Sequence, residues 1–148
     1  MIRKALLLLV VLGLLEHSTP LRAQETLVLI AHKDSTLESL GSLDIRKLYL
    51  GFAIRDEQNQ PIRAILNGSD ARLWNTFLQG VMGMSDKSYE RRLLTLTLQS
   101  GRVRPHVEND PEQLLQTIET LPNSVAFVWQ RDLEGHENLK VLRVLWQE

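Results

Sequence analysis

The sequence predicts an α/β domain in which helices flank a mostly buried, mixed sheet of about four strands. Short runs of branched apolar residues, typical of buried strands, alternate with longer segments whose apolar residues recur at helical spacing. The 148 residues suffice for one domain with its own core. No cysteine is present to supply a disulfide or a thiolate ligand. No repeat, low-complexity tract or linker divides the chain, so we expect one folding unit.

Residues 1–23 have the layout of a secretory signal peptide. Arg3 and Lys4 form a positive start, residues 5–15 are an apolar run, and Ala23 is a small residue at a plausible cleavage bond. A membrane anchor is the alternative, but a span needs about 20 apolar residues, and this run is near half that length. We therefore expect cleavage to release residues 24–148 as a periplasmic domain with no stable membrane anchor. The net charge of −1 gives no support for a nucleic-acid partner.

The first half of the exported chain predicts two strands and a helix between them. The first strand covers residues 26–31, a continuous apolar run. After a polar loop, a helix over residues 42–49 is capped by Ser42 and stopped by Gly51. A polar turn then leads into a second strand at residues 62–66. The inward side chains of this helix are expected to be Leu43, Leu48 and Tyr49.

Two further helices are predicted before the next strand. One covers residues 70–82, with an apolar face at helical spacing. The next is capped by Ser85 and ends near Leu98, because Gly101 can terminate it. Residues 94–98 also alternate with the period of a strand, which is the competing interpretation. Residues 102–109 are expected to form a loop.

A fourth helix and the last two strands complete the prediction. Asp110 is a good N-cap, Pro111 suits the first helical position, and Gln113 stands at the capping-box position. This helix ends at residues 122–123, and strands follow at residues 124–129 and 139–145. Its buried stripe is expected to contain Leu114, Leu115, Ile118 and Leu121.

The polar turn at residues 67–72 is the strongest candidate for a binding site. It links the second strand to the helix over residues 70–82, so Ser69 or Asp70 can cap the free N–H groups of that helix. A turn of this kind also points backbone donors and the positive end of the helix dipole outward, as an anion site requires. Arg72 can add a guanidinium group that donates paired hydrogen bonds to an anion. An ordinary capped helix explains the same residues, and spacing alone favours that explanation.

The sequence offers little for catalysis or metal binding. It contains no nucleophile elbow, P-loop or dinucleotide fingerprint, so we expect neither an enzyme nor a cofactor. The histidines of the exported chain are scattered without metal-ligand spacing and are expected in exposed loops. Arg102 and Arg104 can contact an anion or a partner, although a solvated loop is the favoured interpretation.

Three segments outside the turn carry a resemblance to a known family. Residues 43–51 resemble a helix of that family that ends in Ile-Phe-Leu-Gly. Residues 61–66 stand where the family has a strand that leads toward its ligand. Residues 122–128, Pro-Asn-Ser-Val-Ala-Phe-Val, resemble a Pro-Gly-Ala-Ile-Gly-Tyr-Val strand.

The turn itself adds to this resemblance. Ser69 and Arg72 reproduce a Ser-x-x-Arg pattern, and Phe77 matches a phenylalanine of the following helix. Together these segments cover most of residues 27–130. They resemble the phosphate-binding component of bacterial ABC transporters, especially its small, stand-alone relatives.

The resemblance implies a single lobe of the periplasmic-binding-protein-like (type II) fold. It also implies an exported substrate-binding protein, and not an enzyme, whose ligand is phosphate or another small oxyanion. The residues that would hold this anion are Asn67, Gly68, Ser69, Asp70 and Arg72.

Three departures from the family pattern leave a second function open. Asp70 and Ala71 replace the Gly-Thr half of the phosphate turn, and an acidic Asp70 opposes a dianion. Asn123 and Ala126 stand where the family has glycines. The chain has half the length of a transport receptor, so it cannot close a two-lobed cleft and would hold an anion weakly. The alternative is an envelope accessory or protein-interaction module that kept the fold without the ligand.

Overall fold

The computed structural model describes residues 24–148, so the predicted signal peptide and its cleavage bond lie outside the described residues. Five strands and four α-helices alternate along this part of the chain. A π-helical turn, Leu78–Met82, continues α2, and a 3₁₀ turn, Gln130–Leu133, follows β4. The elements are β1 (Thr26–His32), α1 (Ser42–Tyr49), β2 (Arg63–Asn67), α2 (Ala71–Phe77), α3 (Asp86–Ser100), β3 (His106–Glu108), α4 (Pro111–Thr120), β4 (Ser124–Trp129) and β5 (Leu139–Gln147).

The sheet is mixed, with strand order β3-β2-β4-β1-β5. β2 runs parallel to both β3 and β4, whereas β1 runs antiparallel to β4 and β5. Because β2 and β4 are parallel neighbours, their carboxyl ends lie at the same edge of the sheet. This arrangement places the turn after β2 beside the end of β4.

The sequence missed β3, so the sheet has five strands where about four were expected. Residues 102–109 were assigned to a loop, but His106–Glu108 pairs in parallel with residues 65–67 of β2. The strand has three residues, and Val107 at its centre is 48% exposed. A strand this short and exposed shows no alternation of apolar and polar residues in the sequence. It is recognised only by its pairing with β2.

Helices cover both faces of the sheet and form two apolar clusters. The larger cluster packs α1, α2 and α3 against one face, and the smaller one packs α4 against the other. Three buried rings form the centre of the larger cluster: Phe77 and Phe127 stack with centroids 3.8 Å apart, and Tyr49 meets both edge-on. Aromatic pairs in these geometries stabilise a core beyond the area they bury.

The helix assignments were confirmed, including that of residues 94–98, which lie within α3. The last residue of α3 is Ser100, two residues beyond the expected end at Leu98. Gly101 follows as its C-cap in the left-handed conformation. Ser42, however, is the first helical residue of α1 and not its cap, because Gly41 holds the N-cap position. The inward stripe of α1 accordingly contains Ile45, Leu48 and Tyr49.

Two side chains expected in the core are exposed. Leu43 is 63% exposed because the inward face of α1 begins two residues later, at Ile45. Leu121 is 37% exposed because it follows α4 as an extended C-cap residue, which takes its side chain off the helical stripe. Across residues 24–148, no helix combines the length and apolar character that a membrane span requires.

Candidate functional site

The 67–72 turn is anchored to the sheet by Asn67, the last residue of β2. Its side chain is 2% exposed. The Asn67 Nδ2 group donates to the carbonyl oxygen of Phe127, 3.1 Å away on β4. Its Oδ1 accepts from the backbone N–H of Ser69 at 3.1 Å and from the Ser69 hydroxyl at 2.6 Å. Asn67 therefore fixes the turn in place, and its polar atoms are used within the protein.

Gly68 allows β3 to pass close to the turn. Its N–H donates to the carbonyl oxygen of Glu108 at 2.8 Å. A Cβ atom at Gly68 would meet the side chain of Asn109 and would lie 3.0 Å from Cγ1 of Val107. The backbone donor of Gly68 thus extends the β2–β3 pairing and does not point to a ligand.

Asp70, one of the two caps that the sequence allowed, is the N-cap of α2. Its Oδ1 accepts from the backbone N–H groups of Arg72 at 2.8 Å and Leu73 at 3.3 Å. Its Oδ2 accepts from the indole Nε1 of Trp129 at 3.0 Å. The carboxylate of Asp70 therefore takes the first-turn donors that an anion would use.

These contacts also lower the pKa of Asp70. Partial burial acts to raise the pKa, but the hydrogen bonds from Trp129, Arg72 and Leu73 and the nearby positive charge of Arg131 outweigh it. The result is a carboxylate that stays ionised at neutral pH. A fixed negative charge at the start of α2 opposes the approach of a phosphate dianion.

Arg72 lies in an ion-pair cluster with the start of β1. Its Nη2 is 2.8 Å from Oε2 of Glu25 and 3.6 Å from Oε2 of Glu148. Arg131 pairs with the other oxygen of Glu25. The two guanidinium groups lie 5.9 and 5.6 Å from the ring centre of Trp129. Arg72 is thus held by carboxylates, although 55% of its side chain stays exposed.

A cavity of about 340 Å³ lies beside the turn, and we call it the acidic pocket. Its carboxylates are Asp70, Asp86 and Glu90. Asp86 Oδ1 accepts from the indole Nε1 of Trp74 at 2.8 Å, and Glu90 pairs with Arg104. The apolar part of the lining consists of Leu66, Ala71, Trp74 and Val107.

The structure brings Asn67, Gly68, Ser69 and Asp70 together in one turn, with Gly68 and Ser69 exposed. The partners of this turn were not found from the sequence. Trp129, at the end of β4, is 2% exposed, and its indole N–H donates to Asp70. No local pattern signals this contact, because the two residues are 59 positions apart. The other missed residues are Glu25, Asp86, Glu90 and Arg131.

The remaining candidates do not form a second site. Arg102 stacks on Phe52 with its guanidinium carbon 3.6 Å from the ring centre, and Arg104 pairs with Glu90 while 48% of its side chain stays exposed. Both lie in the loop that the sequence favoured. His32 was expected in an exposed loop, but it ends β1 with its side chain 16% exposed. Within residues 24–148, no three His, Asp or Glu side chains are grouped as a metal site would require.

Comparison with known proteins identifies the fold. No protein-family model matches the chain, and neither does any curated protein. Solved structures of phosphate-transport proteins do match. An ABC-type phosphate transport receptor from Vibrio cholerae superposes with a TM-score of 0.60 at 12% identity, covering 81% of this chain and 46% of the receptor.

Two further structures agree with this match. A putative phosphate ABC transporter substrate-binding protein with bound phosphate, from Clostridium perfringens, gives a TM-score of 0.60 at 13% identity, covering 81% of this chain and 45% of the other. PstS from Borrelia burgdorferi gives 0.59 at 11% identity, with coverage of 80% and 47%. This chain thus spans less than half the length of each. It has the α/β fold of part of a phosphate-binding protein, consistent with a single-lobe relative.

Proposed function

We propose that this chain is an exported, non-enzymatic binding protein that uses the surface around the 67–72 turn to contact a protein partner in the bacterial envelope. It shares its fold with part of the phosphate receptors, but capture of phosphate is not its main role. One observation carries this proposal: the carboxylate of Asp70 accepts three hydrogen bonds, two of them from the first-turn N–H groups of α2.

The charges around the turn support a protein partner over phosphate. A phosphate dianion would have to displace the Asp70 carboxylate and would then face Asp86 and Glu90 across the acidic pocket. Arg72, the cation expected to help, is already paired with Glu25. The lobe formed by residues 24–148 also leaves one side of an anion bound at the turn in water, where a few hydrogen bonds contribute little net affinity.

The test is photo-crosslinking in the periplasm from position 69. Ser69 is exposed, so a photoreactive side chain there reaches whatever binds the turn. We expect one specific envelope protein to crosslink, with equal yield in the presence and absence of phosphate. Gln58, exposed in the turn before the opposite end of β2, is the matched control position and should not capture that protein. A chain that stays monomeric and captures nothing from position 69 would refute the proposal.

Weak oxyanion binding is the second candidate. A fold neighbour contains bound phosphate, and the exposed Gly68 and Ser69 give an anion access to the turn. The residues concerned are Asn67, Gly68, Ser69, Asp70 and Arg72. If their dissociation constant for phosphate is about 1 mM, 10 mM phosphate stabilises the protein by about 1.4 kcal/mol, a rise of about 5 °C in Tm. Arg72→Ala should abolish that rise, and an unchanged Tm of the original protein would exclude this candidate.

A further inference from the structure

The acidic pocket combines apolar walls with carboxylates. Leu66 of β2, Trp74 of α2 and Val107 of β3 supply the walls. Asp86 and Glu90 lie four residues apart in α3, so their carboxylates share one face of that helix. An apolar cavity of this size with a few charged groups converging on it is typical of a binding pocket.

The charge of the pocket selects a cation. Asp70, Asp86 and Glu90 contribute three carboxylates, and Arg104 neutralises one of them by pairing with Glu90. Asp70 uses both carboxylate oxygens within the protein, whereas Asp86 accepts from Trp74 through Oδ1. Within residues 24–148 no donor lies on its Oδ2, which leaves this oxygen open to a further donor. The excess negative charge repels phosphate and attracts an ammonium or guanidinium group.

We infer that the acidic pocket receives an arginine or lysine side chain of the partner protein. This inference rests on the proposed function, whose partner it characterises. The methylene stem of such a side chain fits the apolar walls, while its charged end reaches the carboxylates of Asp86 and Glu90. The indole of Trp74 adds a surface over which a cation is favourable.

The position of β3 favours a peptide segment over a free amine. β3 is the terminal strand of the sheet formed by residues 24–148, and Val107 at its centre also lines the pocket. An extended segment can pair with the open side of a terminal strand through its backbone. Such pairing would bring its alternate side chains beside the pocket.

The test is an NMR titration of the ¹⁵N-labelled protein, purified after export, with two blocked tripeptides. Acetyl-Leu-Arg-Leu-amide is the probe, and acetyl-Leu-Gln-Leu-amide is its uncharged match. We expect the arginine peptide to shift the indole signal of Trp74 and the amide signals of Gly68 and Ala71, and the glutamine peptide to leave them unchanged. The shifts should weaken as salt is raised, because ionic attraction between partly exposed groups is screened.

Variants of Asp86 and Glu90 test whether the arginine peptide binds in the acidic pocket. The double variant Asp86→Asn with Glu90→Gln should weaken binding of the arginine peptide by about tenfold. Glu57→Gln, in the exposed turn at the opposite end of β2, is the matched control and should leave it unchanged. Equal binding of both peptides, shifts confined to other residues, or shifts of these signals by phosphate would overturn the inference. Tighter binding of spermidine than of the arginine peptide would overturn it in favour of a small amine.

Crosslinking from position 69 separates this inference from the proposed function. If the double variant loses the captured envelope protein and Glu57→Gln retains it, the partner enters the acidic pocket. If the double variant captures the partner as well as the original protein does, the proposed function stands and the inference fails. If neither protein captures a partner, the proposed function itself has failed.

Discussion

The cost of removing the Asp70 carboxylate can be worked out from its three hydrogen bonds. Asp70→Ala removes an N-cap, which costs about 1 kcal/mol. It also leaves the indole N–H of Trp129 without its acceptor, in a side chain that is 2% exposed. An unsatisfied buried donor costs about 1–3 kcal/mol. We therefore expect Asp70→Ala to lower the free energy of unfolding by about 2–4 kcal/mol.

Asp110 supplies the matched control for this prediction. It caps α4 with the same pair of backbone bonds, from Glu112 at 2.9 Å and Gln113 at 3.1 Å, and no side chain of residues 24–148 donates to its carboxylate. Asp110→Ala should therefore cost only about 1 kcal/mol. The difference between the two variants measures what the bond from Trp129 adds to a simple cap.

Urea unfolding followed by far-UV circular dichroism is the appropriate assay, because it does not depend on tryptophan fluorescence. A double-mutant cycle with Trp129→Phe isolates the coupling between Trp129 and Asp70, which we expect to be about 1–2 kcal/mol. If Asp70→Ala and Asp110→Ala cost the same, or if the cycle shows no coupling, Asp70 is an ordinary cap. Its carboxylate would then contribute nothing beyond capping α2.

Three further predictions concern the charge of Asp70 and the close contact of Gly51 with Val103. The pKa of Asp70 is lowered in the folded protein from its ordinary 3.8, so its stabilising effect is present above that pH and is lost as the pH falls through the lower folded value. The loss of unfolding free energy caused by Asp70→Ala, measured by urea unfolding, should therefore shrink as the pH is lowered below about 4. Asp70→Ser keeps a cap but removes the charge, so 10 mM phosphate should raise the Tm of this variant more than that of the original protein, and equal shifts would contradict the argument from charge. Gly51 has φ +81°, and a Cβ there would lie 2.6 Å from the carbonyl oxygen of Val103, so Gly51→Ala should lower the free energy of unfolding by about 2–4 kcal/mol. Gly135→Ala, where φ is +83° and the space is open, should lower it by only about 1 kcal/mol. Similar losses in the two variants would show that the clash at Gly51 is relieved.

The helices were predicted well because their signals are local. Asp110 caps α4 through N–H groups two and three residues away, and Pro111 occupies the start of that helix. Gly101 ends α3 through its own left-handed conformation. The prediction for Leu43 was wrong because an apolar residue of the first turn was assigned to the inward face of α1, which begins at Ile45.

The sequence predicted the turn of the candidate site but not the residues that surround it. Asn67 and Asp70 lie in one turn at the end of β2, as expected, and the anion site proposed there stays a prediction. Trp129, Glu25 and Glu90 could not be assigned to the site from the sequence, because each comes from a separate element. Without these residues, the turn resembles an anion site whose donors have no partner within the protein.

What the sequence determined by itself was the succession of helices and of every strand except β3, because apolar spacing and helix caps act over a few residues. Only the tertiary structure decided the chemistry around Asp70. The sheet order places the end of β4 beside the end of β2, which brings Trp129 to Asp70, and the packing of α3 brings Asp86 and Glu90 to the same turn. These contacts join residues far apart in the chain. The folded sheet thereby converts a turn with the local features of an anion site into one filled by its own carboxylate.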